Sequence, residues 1–394
     1  MPDDVKNAIP VSSSAEYLHF LLDECVRRDA SDLHLSPGLP AYLRIDGNLK
    51  PCSTETLKPA HTDAMAVALR DLTGSTAALY EEQLDRKGSI DGALSARDGT
   101  RFRFNIFKRQ RQLVLVLRRL EDRFRSLTEL GLPENLYALC DLRDGLVIMS
   151  GPTGAGKSTT LATLIDRVNR TRESHVITIE DPIEYVHKPV KSIVNQRQVG
   201  IDAPSFNDAL VAAMRQDPDV VLVGEIRDLE TIRTAITAAE TGHLVFTTLH
   251  AGDCVGSIER LVSVFPAGEQ EGIRRQLALV LRAVISQHLL PSAPVRDSDG
   301  KQSAGVRIAT SEVLMVNPAV SNLIGSGKSA QIYSIMETGQ GQGMQTLEQD
   351  LARLWVAGRI TEAVAVATAR NVNVLKSRVA MLRKRSGMEQ VGNA

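Results

Sequence analysis

Nine consecutive residues, Gly151-Pro152-Thr153-Gly154-Ala155-Gly156-Lys157-Ser158-Thr159, have the types and order needed to hold a triphosphate. The apolar run Leu146-Val147-Ile148-Met149 precedes them and Thr160-Leu161-Ala162-Thr163-Leu164-Ile165 follows, so a strand feeds a glycine-rich turn that opens a helix. That is the setting a phosphate loop requires. Glycines let successive backbone N–H groups turn onto phosphate oxygens, the helix N-terminus adds partial positive charge, and Lys157 reaches the β- and γ-phosphates. Ser158 is then the hydroxyl expected to hold Mg²⁺. ATP and Mg²⁺ are the implied ligands.

Further chemistry gathers where later strands end. His175-Val176-Ile177-Thr178-Ile179 runs into Glu180-Asp181-Pro182-Ile183-Glu184, and Val220-Val221-Leu222-Val223 into Gly224-Glu225. In open parallel sheets the carboxyl ends of the strands form the ligand edge, which puts these acids near a triphosphate and its metal. One of them is expected to activate water. The second strand reads as a Walker B-like element, with glycine where an aspartate more often stands. Such a strand is also plain core, but an ionised Glu225 emerging beside a phosphate loop points to metal or water. His250 ends a third strand, Leu244 to Leu249, where an imidazole can contact the γ-phosphate. His243, before that strand, reads as structural.

The elements that position these groups alternate strand and helix, including helices at Phe206 to Arg215 and Leu229 to Glu240, which is the signature of a parallel sheet with right-handed crossovers. The first part of the chain reads differently. A helix starts at the capping box Ser13-Ser14-Ala15-Glu16 and ends near Asp29; Ser31 to Leu35 and Ala41 to Ile45 alternate as strands; Asp46-Gly47 marks a hairpin turn. Helices are expected at Pro59 to Leu72 and Thr76 to Leu84. Strands Arg101 to Phe107 and Gln112 to Arg118 follow, the first with arginines on one face and aromatics on the other. The arginines read as solvated or phosphate-facing, the aromatics as core. Leu130-Gly131-Leu132-Pro133 reads as a linker. Beyond the sheet, Pro291 to Gly305 reads as a surface loop, Val306 to Leu314 as a last strand, and Pro318 to Ile324, Leu347 to Ala357 and much of Thr361 to Arg385 as helices, with a disordered tail from Ser386.

The 394 residues suffice for two or three domains. With 46 basic against 47 acidic residues, nothing draws the whole chain to nucleic acid. A nucleic-acid motor, the rival class for such a site, would be expected to carry a stronger basic channel. No apolar run approaches the ~20 residues of a membrane span and no secretory signal is evident, so a cytoplasmic location is expected. Four dispersed cysteines read as buried thiols rather than a zinc or disulfide framework. Gly325 to Ser329 contains Gly-Lys-Ser, but no strand leads into it; Gly339 to Gly343 matches no nucleotide fingerprint.

In this order the motifs resemble the secretion-superfamily ATPases of type II secretion and type IV pili, most closely the PilT-like pilus-retraction group. The resemblance rests on Ala30 to Leu35, the phosphate loop, Ile179 to His187, Asp217 to Asp228, Ala239 to His250 and Gly343 to Leu347. It implies a PAS-like α+β N-terminal domain followed by a RecA-like α/β ATPase domain with C-terminal helices. The expected boundaries are 1–125, a linker at 126–140, an ATPase core at 141–290 and an extension at 291–394. It also implies that Glu184 activates water, that Glu225 belongs to an atypical Walker B, that His250 closes the His box, and that Arg103 and Arg118 act on the nucleotide. The implied assembly is a homo-hexamer, peripheral to the inner membrane at a pilus base. Its implied partners are a membrane platform protein and a paralogous pilus ATPase. The longer N-terminal region and four-cysteine insertion of assembly and type II secretion relatives are not found. One motif departs: Ala319 to Ser326 reads A-V-S-N-L-I-G-S, where the retraction group usually has A-I-R-N-L-I-R-E. That leaves open an accessory ATPase resembling PilU.

Overall fold

The computed structural model describes residues 14–45, 47–73, 84–120, 123–296, 302–303 and 307–385. Asp46, most of the helix expected at Thr76 to Leu84, much of the loop at Pro291 to Gly305 and the tail from Ser386 lie outside the described residues. The chain divides into two compact units, Met1–Arg123 with Pro182–Val186, and Phe124–Asp181 with His187–Ala394.

The first unit is built on a six-stranded antiparallel sheet. Its strands are β1 (Asp32–Leu35), β2 (Tyr42–Ile45), β3 (Asn48–Pro51), β4 (Ser89–Ser95), β5 (Arg101–Arg109) and β6 (Gln112–Arg119), in the order β3-β2-β1-β6-β5-β4. The period-2 alternation of β5 sends Phe102, Phe104 and Ile106 into the core, where the helix Ser14–Arg27 buries Leu18, Leu21, Leu22 and Cys25. The helix Pro59–Thr73 adds Met65, Ala66 and Leu69. Strand β4 was not foreseen, and Gly92 explains why. A glycine inside a strand weakens its pattern, but a Cβ there would lie 2.3 Å from the Phe104 ring, so only glycine lets that ring cross the backbone.

The second unit carries β7 (Gly145–Ser150), β8 (His175–Glu180), β9 (Ile193–Gln198), β10 (Val220–Val223), β11 (Leu244–Leu249), β12 (Leu281–Pro291), a hairpin β13 (Val295–Arg296) with β14 (Gln302–Ser303), and β15 (Arg307–Met315). Seven of these form one sheet, ordered β15-β12-β7-β11-β10-β8-β9; all neighbours are parallel except β12 and β15. Strands β7 and β11 are buried at every position, which is why they read as unbroken apolar runs. The two units give the mixed α/β architecture that the motifs imply. The stretch around Leu130 to Pro133 is folded: a capping box of Ser126 and Glu129 starts the turn Leu127–Leu130, a 3₁₀ helix covers Glu134–Asp141, and Leu127, Leu136, Leu139 and Cys140 pack with β7. Thr361 to Arg385 forms two helices, Glu362–Thr368 and Val372–Arg385, rather than one.

All four cysteines are free and buried. Burial pushes the Cys25 and Cys140 thiols up to about 12 and Cys52 to about 11, so none is a ready nucleophile. His187 is buried too, stacked on Phe124 with ring centroids 4.7 Å apart and no hydrogen bond at Nδ1. Burial pushes its pKa down from 6.5 to about 4, against the raising effect of Asp166. Between those values the unfolded chain takes up a proton that the folded one refuses. The cost is therefore absent above pH 6.5, grows as pH falls, and reaches about 2 kcal/mol by pH 5. His187→Phe keeps the stack and removes the titration. Urea unfolding at pH 7 and pH 5 should show a loss in stability smaller by roughly that amount in the variant; equal losses in both proteins would rule out His187 as the acid-sensitive group.

Candidate active site

Strand β7 ends at Ser150 and the chain turns through Gly151, Gly154 and Gly156 with φ of 135°, 75° and 87° before the helix Lys157–Thr171 begins. Gly151 allows no side chain, since a Cβ would stand 2.2 Å from the Gln287 carbonyl oxygen on β12. Gln287 braces the turn as well: its Nε2 donates to Ala155 O at 2.8 Å and its Oε1 accepts from Thr160 Oγ1 at 2.8 Å. Lys157 folds back, its Nζ donating to Gly151 O at 2.8 Å and Pro152 O at 3.0 Å. The loop is held open around its own lysine, with Pro152, Thr153, Gly154 and Ser158 exposed. Phosphate oxygens would take over those lysine bonds.

Strand β10 delivers Gly224 and Glu225 beside it. A Cβ on Gly224 would come within 3.1 Å of Ile179 O and 3.4 Å of Glu180 Cα on β8. The glycine in the Walker B position is thus a packing requirement of this sheet. Glu225 Oε1 meets His250 Nε2 at 3.0 Å, and its Oε2 accepts from Arg227 at 2.5 Å. Burial raises the Glu225 carboxyl, but Arg227, His250 and Lys157 outweigh it and hold the group below its ordinary value, ionised at neutral pH. Lys157 is lowered by burial and raised by Glu225. The structure therefore brings Lys157, Glu225 and His250 into one electrostatic cluster at the carboxyl edge of the sheet. His243 is a structural residue, its Nδ1 2.9 Å from Ala238 O. Among the described residues no group of His, Cys, Asp and Glu forms a ready metal cage. A Mg²⁺ that arrives with a nucleotide needs none, because phosphates and water supply most of its ligands. The exposed Ser158 hydroxyl fits that role; Glu225 has both oxygens engaged and would give up a partner to join it.

A phosphate loop, an acid at the end of β10 and a histidine at the end of β11 recur in many nucleotide enzymes, and whole-chain comparison decides among them. Residues 10–361 match the model of the type II/IV secretion system protein family. The chain belongs to that family. This secretion-family chain is 42% identical over 341 residues to the type IV pilus retraction ATPase PilT of Pseudomonas aeruginosa, covering 86% of the chain and 94% of PilT. It is 37% identical to the type IV pilus ATPase PilU of the same organism, covering 90% and 89%. The crystal structure of the pilus retraction motor PilT with bound ADP superposes with a TM-score of 0.81 at 41% identity, covering 91% of this chain and 99% of that one.

Other expected residues of this secretion-family chain lie in the first unit. Arg103 and Arg118 stand directly opposite each other on β5 and β6, and Asp32 on β1 pairs in register with Arg118 on one side and Arg44 on the other. Asp32 is buried; its Oδ1 accepts from Arg118 Nε at 2.8 Å and its Oδ2 lies 3.6 Å from Arg44 Nε. Burial raises the Asp32 carboxyl, yet the bonds from Arg118 and Ser31 bring it below the ordinary range. Among the described residues Arg103 makes only a 3.9 Å contact with Asp91. Glu184 falls in Pro182–Val186, which groups with the first unit, and it is half-buried. Sequence reasoning gave no role to Asp32, Gln287 or Arg227. Asp32 and Arg227 lie within motifs already singled out, Ala30 to Leu35 and Asp217 to Asp228, and Arg227 reaches Glu225 only two residues away; Gln287 acts through contacts that no local pattern announces.

Proposed function

We propose that the chain is the cytoplasmic motor ATPase of a type IV pilus, a homo-hexamer at the inner-membrane platform that converts ATP hydrolysis into pilus retraction and twitching motility. The reading is carried by near full-length likeness to PilT in a chain whose phosphate loop and ionised Glu225 are both in place. Lys157 and the loop N–H groups bind the phosphates, and Ser158 and Glu225 hold Mg²⁺ with them. Bound Mg²⁺ supplies charge neutralisation on the β- and γ-phosphates. Glu184 orients the attacking water, His250 reports the γ-phosphate through Glu225, and Arg103 and Arg118 stabilise charge in the transition state.

A second reading, an accessory ATPase like PilU, is favoured by one observation. The helix Pro318–Gly325 keeps Val320 and Ile324 in the core, but Ser321, Gly325 and Ser326 occupy the places where the retraction motif carries two arginines and a glutamate. Ser321 is turned inward, its hydroxyl donating to Ala278 O at 2.5 Å. Gene deletion tests both readings. Loss of retraction leaves excess surface filaments, which restoring the wild-type gene removes and Glu184→Gln does not, since the amide binds ATP without polarising water. Absence of filaments would indicate an assembly motor instead, and a normal count the accessory role.

A further inference from the structure

The break between the helices Glu362–Thr368 and Val372–Arg385 is occupied by Arg370, whose guanidinium spans two elements. One nitrogen donates to Glu312 Oε2 on β15 at 2.6 Å and the other to Gly252 O at 2.9 Å. The backbone N–H groups of Arg370 and Asn371 donate to Glu348 Oε1 at 3.0 and 3.1 Å, and Tyr333 OH donates to Glu348 Oε2 at 2.7 Å. Glu312 and Glu348 are 1% and 0% exposed. Burial pushes the Glu312 carboxyl up, and Arg370 is foremost among the groups that oppose it. Glu312 is buried while the Arg370 side chain is 36% exposed, and a carboxylate taken out of water for one cation seldom stabilises a fold more than an apolar group of the same volume would. The place of the pair in the molecule is therefore informative.

Gly252 belongs to the loop His250–Asp253, and every residue of that loop is tied down. His250 meets Glu225 at 3.0 Å; Ala251 O accepts from the hydroxyl of Ser150, the residue before the phosphate loop, at 2.9 Å. Gly252 O takes Arg370 and lies 3.3 Å from His288 Nε2, next to the brace Gln287. Asp253 caps the helix Cys254–Ser263, and the Cys254 N–H donates to Glu312 Oε1 at 3.0 Å. Glu312 thus holds the far end of the loop with one oxygen and Arg370 with the other, while Arg370 holds the middle. A shift of the C-terminal helices that carries Arg370 must move Gly252, two residues from His250 and one from the Ser150 contact.

We propose that Arg370 is a positioning residue through which the C-terminal helices seat the His250–Asp253 loop against the phosphate loop, so that hydrolysis, and not nucleotide binding, depends on how those helices sit. The inference rests on the reading of Glu225 and His250 as part of the hydrolytic site. Arg370→Lys is the sharpest test. An ammonium keeps a cation beside Glu312 but lacks the second nitrogen that reaches Gly252 O.

In the full-length protein, Arg370→Lys should lower kcat by about tenfold while KM for ATP and ADP affinity change less than about twofold, the pattern of an interaction made in the transition state. Its melting temperature should stay near wild type. Combined with His250→Ala it should add less than about twofold to the loss, because both act on one loop. Should Arg370→Lys melt early, Glu312→Met with Arg370→Met removes the buried carboxylate and its cation together at similar volume and gives the same readout. Wild-type kcat in either variant, or losses that multiply with His250→Ala, would overturn the proposal while leaving an impaired His250→Ala, and hence the hydrolytic site, intact. Wild-type turnover in His250→Ala itself would remove the underlying reading, and the Arg370 inference with it.

Discussion

Lys157→Ala abolishes ATP turnover at measurable levels, a loss of about 10²–10³-fold or more, while the nucleotide-free protein melts within a few degrees of wild type. The effect is large because of what Lys157 holds now and what it must hold later. Its ammonium is buried beside the loop and, among the described residues, bonded to two loop carbonyls, of Gly151 and Pro152, while Glu225 supports its charge. The turn has other holds, since the Pro152 carbonyl also accepts from the Ala155 N–H at 3.2 Å and the Gln287 amide donates to the Ala155 carbonyl at 2.8 Å. Removing the side chain leaves the loop in place and takes a positive charge from the β- and γ-phosphates, where charge accumulates during transfer. Steady-state turnover, ADP binding and a thermal melt on one preparation separate these effects. Wild-type turnover would sink the assignment of the site, and a collapse in melting temperature would mean that the lysine supports the fold.

The parts of this site visible in the sequence are those whose physics is local. A phosphate loop is a contiguous device, so strand β7, three glycines and Lys157 announce it together. Strands β8, β10 and β11 are buried on both faces and read as short apolar runs, and the residues that end them, Glu180, Glu225 and His250, fall on the ligand edge by topology alone. Strand β12 was hidden because it continues from the helix Ala267–Val280 with no intervening loop, so Leu277 to Ile285 gives one stretch, apolar but for Arg282, with no glycine or proline to punctuate it. Strand β9 is an edge strand with Ile193 exposed and Asn, Gln and Arg along it, which erases the alternation of a half-buried strand. The supports of the site were illegible for another reason. Gln287 lies 132 residues from Ala155, and Asp32 86 residues from Arg118, so neither pairing leaves a mark in any window of sequence. Gly224 was legible as a departure from the usual acid, but its cause, the backbone of β8 lying against it, is a property of the assembled sheet.

Hydrolysis per subunit rises steeply with protein concentration, because the proposed site is complete only in a ring. Asp32 engages Arg118 at Nε alone; the side chain is 69% exposed, and its two terminal nitrogens make no hydrogen bond among the described residues. Arg103 lies opposite it, and Arg44 flanks the same carboxylate. The buried Asp32 and the exposed Asp91, 3.9 Å from Arg103, stand with three cations and leave the row with net positive charge, and a guanidinium held at Nε keeps its outer fork free for a phosphate. Among the described residues of the first unit no further carboxylate pairs with these arginines, so the row suits an anion brought to it by docking on a phosphate loop. In cyclic assembly each interface repeats the same heterologous contact and the ring closes, giving every nucleotide one such row. Arginines used in this way contribute ~10³-fold or more to phosphoryl transfer. Specific activity across a dilution series that spans assembly should therefore fall by orders of magnitude as rings dissociate. Mixing inactive Arg118→Ala with inactive Lys157→Ala chains should restore part of the turnover, since some interfaces then pair an intact row with an intact loop. Constant specific activity down to demonstrably monomeric protein would refute completion by assembly. With the dilution effect present, failure of the mixture to recover would place the arginine's action within one chain.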